Sequence, residues 1–254
     1  MPAGDASVSP DTVSTGSHFK VDALTTDAGF RQGQLPTALS IAFQKGFALD
    51  PTAVAGTCTT ALANKDQCPA DSRLGAGAIG VSLNGAHYTA SLEFFRTAPP
   101  QPTDQGGIIF YFKEPQSGYN GSSVGSVRTV DQGIYGELIE FDKLPLPVLP
   151  PGLNIQLDHL QLDLGAGSAT APVAVPHHTV KKKRHRYRCV KYRGHGRRHH
   201  CVKWKRIVTA HRSSATSFII NPATCTGTWG AQLTWGYQDG TQEQREATPA
   251  CRPA

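Results

Sequence analysis

Long apolar runs are missing from this sequence. The longest span a few residues, far below the roughly 20 a helix needs to cross a bilayer, so no transmembrane helix is expected. Runs of Ala, Leu, Glu and Lys are also scarce, and charged residues make up only 17% of the chain. That argues against long helices, which are built from such runs. No two cysteines stand in a C-x-x-C spacing, which removes the commonest zinc-ribbon and thioredoxin-like patterns. The opening residues, Met1 to Pro10, contain neither the basic nor the apolar region of a secretory signal. One stretch has no acidic residue at all: between His177 and Arg212 there is no Asp or Glu.

What is present is glycine and proline, 26 and 18 residues in a chain of 254. Turn residues at this density favour many short elements. Alternating segments sit between them: Phe19 to Ala23, Ala38 to Phe43, Leu74 to Leu83, His87 to Arg96, Val124 to Val130 and Gly136 to Phe141. Ile108 to Phe112 is continuously apolar, as a strand buried on both faces would be. Ile155 to Leu164 alternates but slips phase at Asp158-His159, which predicts a β-bulge. Ala61 to Asn64 suggests one helical turn. Trp229, Ala231, Leu233, Trp235 and Tyr237 share one strand face, and Asp239-Gly240 predicts a hairpin turn into a polar edge strand, Thr241 to Ala247. The expected fold is all-β: a β-sandwich of about ten short antiparallel strands, built from residues 17–175 and 213–254. Residues 1–16 have the composition of a flexible tail. Residues 176–212 form an inserted basic segment, either a hairpin or disordered.

That insertion divides the chain electrostatically. Residues 177–212 hold 14 of the 25 Lys and Arg and 7 of the 10 His, leaving 11 basic against 19 acidic side chains elsewhere. The overall formal charge of +6 thus conceals an acidic body carrying a cationic segment. Cys189-Val190-Lys191-Tyr192 and Cys201-Val202-Lys203-Trp204 are near-copies. Setting Cys189 opposite Cys201 gives a hairpin that turns at Gly194 to Gly196, with Arg186 across from Trp204 and Tyr192 across from Arg198. A disulfide there would contribute up to about 3 kcal/mol on the chain-entropy estimate.

The six cysteines allow 15 pairings. The sequence-local set is Cys58 with Cys68, Cys189 with Cys201, and Cys225 with Cys251. An even count at these spacings points to an oxidising compartment. The expected location is therefore outside the cell or on its envelope, reached by a signal that this sequence does not contain.

Three motifs carry a resemblance. They are Leu35 to Phe47, Cys68-Pro69-Ala70-Asp71-Ser72-Arg73-Leu74-Gly75, and Asn221-Pro222-Ala223-Thr224-Cys225 followed by Trp229 and Tyr237 to Gly240. Together they resemble a group of uncharacterised exported β-rich proteins of actinobacterial type. The resemblance covers about three-quarters of the chain and implies a β-rich exported fold. It implies no activity, because the shared residues are half-cystines, turn glycines and hairpin aromatics.

The chemistry-bearing candidates are few. Gly121-Ser122-Ser123-Val124-Gly125 has the G-x-S-x-G form of a nucleophile elbow, with Asp158 and His159 later in triad order. An elbow needs a helix after the serine, however, and a strand-like segment follows here, so a Gly/Ser turn is preferred and a secreted serine hydrolase is a minor alternative. Asp158, His159 and Asp163 are expected to be structural rather than metal ligands. The Trp229–Tyr237 stripe is expected in the core rather than as a carbohydrate platform.

The basic segment supports three readings. The first is contact with an anionic polymer or cell-envelope surface. Its cations would be Lys181, Lys182, Lys183, Arg184, Arg186, Arg188, Lys191, Arg193, Arg197, Arg198, Lys203, Lys205 and Arg206, with Tyr187, Tyr192 and Trp204 as aromatic contacts. Nucleic acid qualifies chemically, but no nucleic-acid-binding fold is matched. The second is a metal site from Cys189, His195, His199, His200 and Cys201, whose spacing fits no standard motif. The third is a solvated insertion without function. The expected function is non-enzymatic attachment, with neither cofactor nor metal.

Overall fold

The computed structural model describes residues 5–9, 11–14, 16–24, 34–146, 155–165, 186–193, 200–207 and 217–253. It divides into two compact units, one of residues 1–169 with 215–254 and one of residues 170–214.

The larger unit is all-β. Its strands are β1 (Asp5–Ser9), β2 (Gly16–Leu24), β3 (Ala38–Gln44), β4 (Ala48–Leu49), β5 (Arg73–Leu83), β6 (Ala86–Thr97), β7 (Gly106–Glu114), β8 (Tyr119–Gln132), β9 (Tyr135–Phe141) and β10 (Ile155–Leu164). The smaller unit contributes β11 (Arg186–Arg193) and β12 (His200–Ile207). The larger unit then resumes with β13 (Ile219–Ile220), β14 (Ala231–Gly236) and β15 (Gln242–Ala247). One helical turn, α1 (Thr60–Ala63), is capped by the Thr59 hydroxyl, which accepts from the Leu62 amide.

Thirteen strands make one antiparallel sheet in the order β15-β14-β3-β9-β8-β7-β6-β5-β10-β2-β13-β4, with β1 paired to β2 off this path. The path does not close. Instead the sheet folds back on itself, and its inner faces meet as the layers of a sandwich do. Phe19 of β2 lies edge-on to Phe43 of β3 at 5.1 Å, although six strands separate them in the sheet. Phe94, Phe110 and Phe141 interlock edge-on or tilted between β6, β7 and β9. Trp229, Trp235 and Tyr237 all lie in this core, as their shared strand face predicts.

A second, smaller apolar cluster lies on the outer face. Phe95, Ile109 and Tyr111 alternate with the inward Phe94 and Phe110, and they are covered by Ala63 of α1 and by Cys58. The Cys58–Cys68 disulfide closes this covering loop. That explains why β7 reads as a continuous apolar run: both of its faces are buried.

The N-terminal residues differ from expectation. Asp5–Ser9 is a strand, not part of a flexible tail, and it pairs in register with Asp22 back to His18. Ala6 and Val8 alternate onto the core, where Val8 is buried. Thr12 bridges to Arg252, and its carbonyl accepts from Asn221 Nδ2. The unpaired side of β2 gives this short, polar-looking segment a template that composition alone does not reveal.

Candidate functional site

The Lys/Arg-rich segment forms the predicted hairpin. β11 and β12 pair antiparallel, with Tyr187 opposite Arg206, Cys189 opposite Trp204 and Arg193 opposite His200. This register is three residues away from the expected one: Tyr192, not Cys189, stands opposite Cys201. β11 ends at Arg193 and β12 begins at His200. The ladder shifts register on either side of Lys191. Lys181, Lys182, Lys183, Arg184, Arg197 and Arg198 lie outside the described residues, as do His195 and His199. For Arg186, Arg188, Lys191, Arg193, Lys203, Lys205, Arg206, Tyr187, Tyr192, Trp204, Cys189, His200 and Cys201 the backbone is described and the side chain is not.

The Gly/Ser motif lies wholly inside β8, with strand on both sides of Ser123. Both glycines have packing reasons to be glycine. A Cβ on Gly125 would stand 2.5 Å from Phe141 Cδ1 and from the Glu140 carbonyl oxygen. A Cβ on Gly121 would meet Pro145 at 3.1 Å. The Ser123 hydroxyl is buried and has no hydrogen-bond partner among the described residues. Among the described residues no histidine bonds to it, as the base that activates a nucleophile would.

Asp158 and His159 are engaged elsewhere. The ladder between β10 and β5 shifts between Leu157 and His159, where the phase slip predicts a bulge. Asp158 Oδ2 accepts from Ser82 Oγ at 2.5 Å and lies 3.0 Å from His87 Nδ1, which is itself 2.7 Å from Ser82 Oγ. Serine, histidine and aspartate meet, but not as a relay: one imidazole nitrogen faces both partners, whereas a relay needs Nε2 on the serine and Nδ1 on the carboxylate. His159 Nε2 lies 2.5 Å from Asp22 Oδ1. His18 Nδ1 lies 2.8 Å from Asp163 Oδ1, and Lys20 reaches the other oxygen at 3.2 Å. Burial pushes the Asp163 carboxyl up, but the hydrogen bonds from His18 and Lys20 outweigh it and hold it below the usual range. No group of three metal-ligating side chains occurs among the described residues.

The larger unit also contains a concavity that the alternation pattern alone does not reveal. It lies at the turn end of the β5–β6 and β7–β8 hairpins. β9 ends at Phe141, with Glu140 paired to Ser126, while β8 runs on to Tyr119. Residues at this end line a cavity of about 470 Å³. Ile79, Val81 and Leu83 come from β5, Tyr88 and Ala90 from β6, Phe112 and Glu114 from β7, Tyr119 from β8 and Leu157 from β10. Leu35, before β3, and Leu146, after β9, flank it.

Among the described lining residues Glu114 alone is charged. The residue is only 7% exposed, and its carboxylate accepts from the backbone amides of Gln116 and Ser117 at 2.7 and 2.6 Å. Burial pushes this carboxyl up, but the donation from Ser117 and Gln116 outweighs it and leaves the group below the usual range. The Tyr119 hydroxyl donates to the Pro145 carbonyl. The Tyr88 hydroxyl has no hydrogen-bond partner among the described residues. Sequence reading missed this cavity because it depends on strand-length mismatch; the one visible hint is the run of half-thin residues Gly77 to Leu83.

Among the described residues two disulfides are formed, Cys58–Cys68 and Cys225–Cys251. No helix among the described residues is long and apolar enough to cross a membrane. No protein-family model, curated protein or solved structure matches the chain.

Proposed function

We propose that the protein attaches, without catalysis, to an anionic surface or polymer outside the cell, and that the Lys/Arg-rich unit makes the contact. One observation carries this reading. The 14 basic residues of 177–212, unaccompanied by any acidic one, fall within a compact unit that contains a two-stranded hairpin. Concentrated cations on a folded support neutralise phosphate or carboxylate polymers at less conformational cost than a free basic tail does. Such a segment on an acidic body also orients the protein: the cationic unit is attracted to the polymer while the remainder is repelled. The disulfides Cys58–Cys68 and Cys225–Cys251 suit an oxidising exterior, and an envelope polymer is a partner of opposite charge. Nucleic acid has the same charge and is the competing partner.

Deleting residues 177–212 is the test. The remaining unit is expected to keep its strand signature by circular dichroism and to lose retention on isolated cell walls and on a polyanion resin. The parent's retention is expected to weaken steeply as salt rises, by counterion release. A deletion variant that binds as well as the parent overturns the proposal. Tighter binding to duplex DNA than to wall polymer at the same salt reassigns the partner.

A further inference from the structure

We infer that the concavity beneath the β5–β6 and β7–β8 hairpins is a binding site for an uncharged, largely hydrocarbon molecule with one hydroxyl or carbonyl group. This does not rest on the attachment reading, since the site belongs wholly to the larger unit.

Three features carry it. The first is size. At about 470 Å³ the cavity falls within the roughly 300–1,000 Å³ typical of small-molecule sites, and it is far larger than a packing defect. The second is why the cavity exists. β8 runs on past its last pair with β9, and at that end apolar residues such as Val81, Phe112 and Leu157 line an unfilled space. Most of these side chains are already buried, and the part of their surface still facing the cavity favours an apolar occupant by about 25 cal/mol for each Å² covered.

The third feature is charge. Among the described residues no Lys, Arg or His lines the cavity, and the one charged lining group, Glu114, is already satisfied by two backbone amides. A carboxylate, sulfate or phosphate head group would enter with no counter-charge and would face an existing anion. That excludes fatty-acid-like ligands and selects neutral ones. The polar handle is the Tyr88 hydroxyl, which has no hydrogen-bond partner among the described residues and can donate to one ligand oxygen.

The test uses the full chain with its disulfides intact and two fluorescent probes of matched skeleton. N-phenyl-1-naphthylamine is neutral; 1-anilinonaphthalene-8-sulfonate is anionic. Titrations are run at about 0.5 M salt, where screening over a few ångström suppresses capture of the sulfonate by the basic unit. The neutral probe is expected to saturate at one per chain and to bind at least tenfold more tightly than the sulfonate. Ala90→Leu, on the cavity wall, and Val81→Trp, at its half-buried rim, are each expected to weaken the neutral probe tenfold or more. Near-UV circular dichroism reports whether each variant has kept its fold. Non-saturable binding by the intact chain overturns the inference, and so does equal affinity for the two probes. Unchanged binding in both variants also overturns it. The intact-chain titration decides alone if neither variant folds.

Discussion

Gly125 and Ser123 show how one short motif serves packing. Phe141 Cδ1 and the Glu140 carbonyl oxygen occupy the space a Gly125 Cβ would need, and both belong to the core side of β9 or to its backbone. Gly125→Ala is therefore expected to overpack the wall and cost about 1–3 kcal/mol in urea unfolding. Ser123→Ala should be neutral or mildly stabilising, because it removes a buried hydroxyl that has no partner among the described residues. A large loss of stability in the serine variant would show that the hydroxyl is bonded after all. Asn221 is the opposite case, a buried polar side chain that is fully used. It accepts from Ser17 Oγ at 2.6 Å and donates to the Thr12 carbonyl, pinning the Asn-Pro segment to β2 and to the residues after β1. This is the physical content of that motif: a polar clamp between the two ends of the chain.

β10 gathers the electrostatics of the larger unit at the scale of one element. The three histidines outside the basic segment are His18, His87 and His159, and each lies against an aspartate in a pair that has one member on β10. These pairs fasten β10 to β2 on one side and, through Asp158, to Ser82 of β5 and His87 of β6 on the other. Asp163 sets the sign of one pH dependence. Its folded carboxyl is held below the usual range, so its contribution is complete above the unfolded value of about 4 and is lost as pH falls through the lower folded value. Unfolding of the parent and of Asp163→Asn, compared from pH 7 down to pH 3, should show the parent more stable near neutrality and the gap closing below about pH 4. A pH-independent gap would refute the assignment. The bulge in this strand was legible in the sequence, because Leu157 and Leu160 cannot both face inward without an extra residue between them. The three histidine pairs were not, because each partner is 71 or more positions away in the chain.

At the scale of the whole molecule, alternation identified most of the strands, the β14–β15 hairpin and its polar edge, but not how the sheet closes on its core. Nothing in Phe19 or Phe43 says that strands far apart in the sheet meet face to face. β1 was hidden because Ser and Asp composition resembles disorder when the waiting edge of β2 is unknown. The cavity was hidden because it is a mismatch between β8 and β9, and the Gly/Ser-rich start of β8 carries little alternation. The two disulfides among the described residues are local in sequence, yet Cys58–Cys68 holds the cover over Phe95, Ile109 and Tyr111. Replacing both cysteines with serine should lower stability by about 2–5 kcal/mol, read as a lower urea midpoint with a changed tyrosine signal in near-UV circular dichroism. An unchanged midpoint would mean that the loop stays docked without its bond.

The last residue of β10, Leu164, pairs with Phe19, and where the chain resumes Ile219 pairs with Ser17, two positions along the same strand. The points at which the chain departs for the basic segment and returns are therefore on the order of 10 Å apart by ordinary strand spacings. Loop closure between anchors this near costs little whatever the length between them. The β scaffold thus behaves as a socket: segments of other length and charge can be exchanged at this position without rebuilding the core, so recruitment to a new surface can change while the scaffold stays the same.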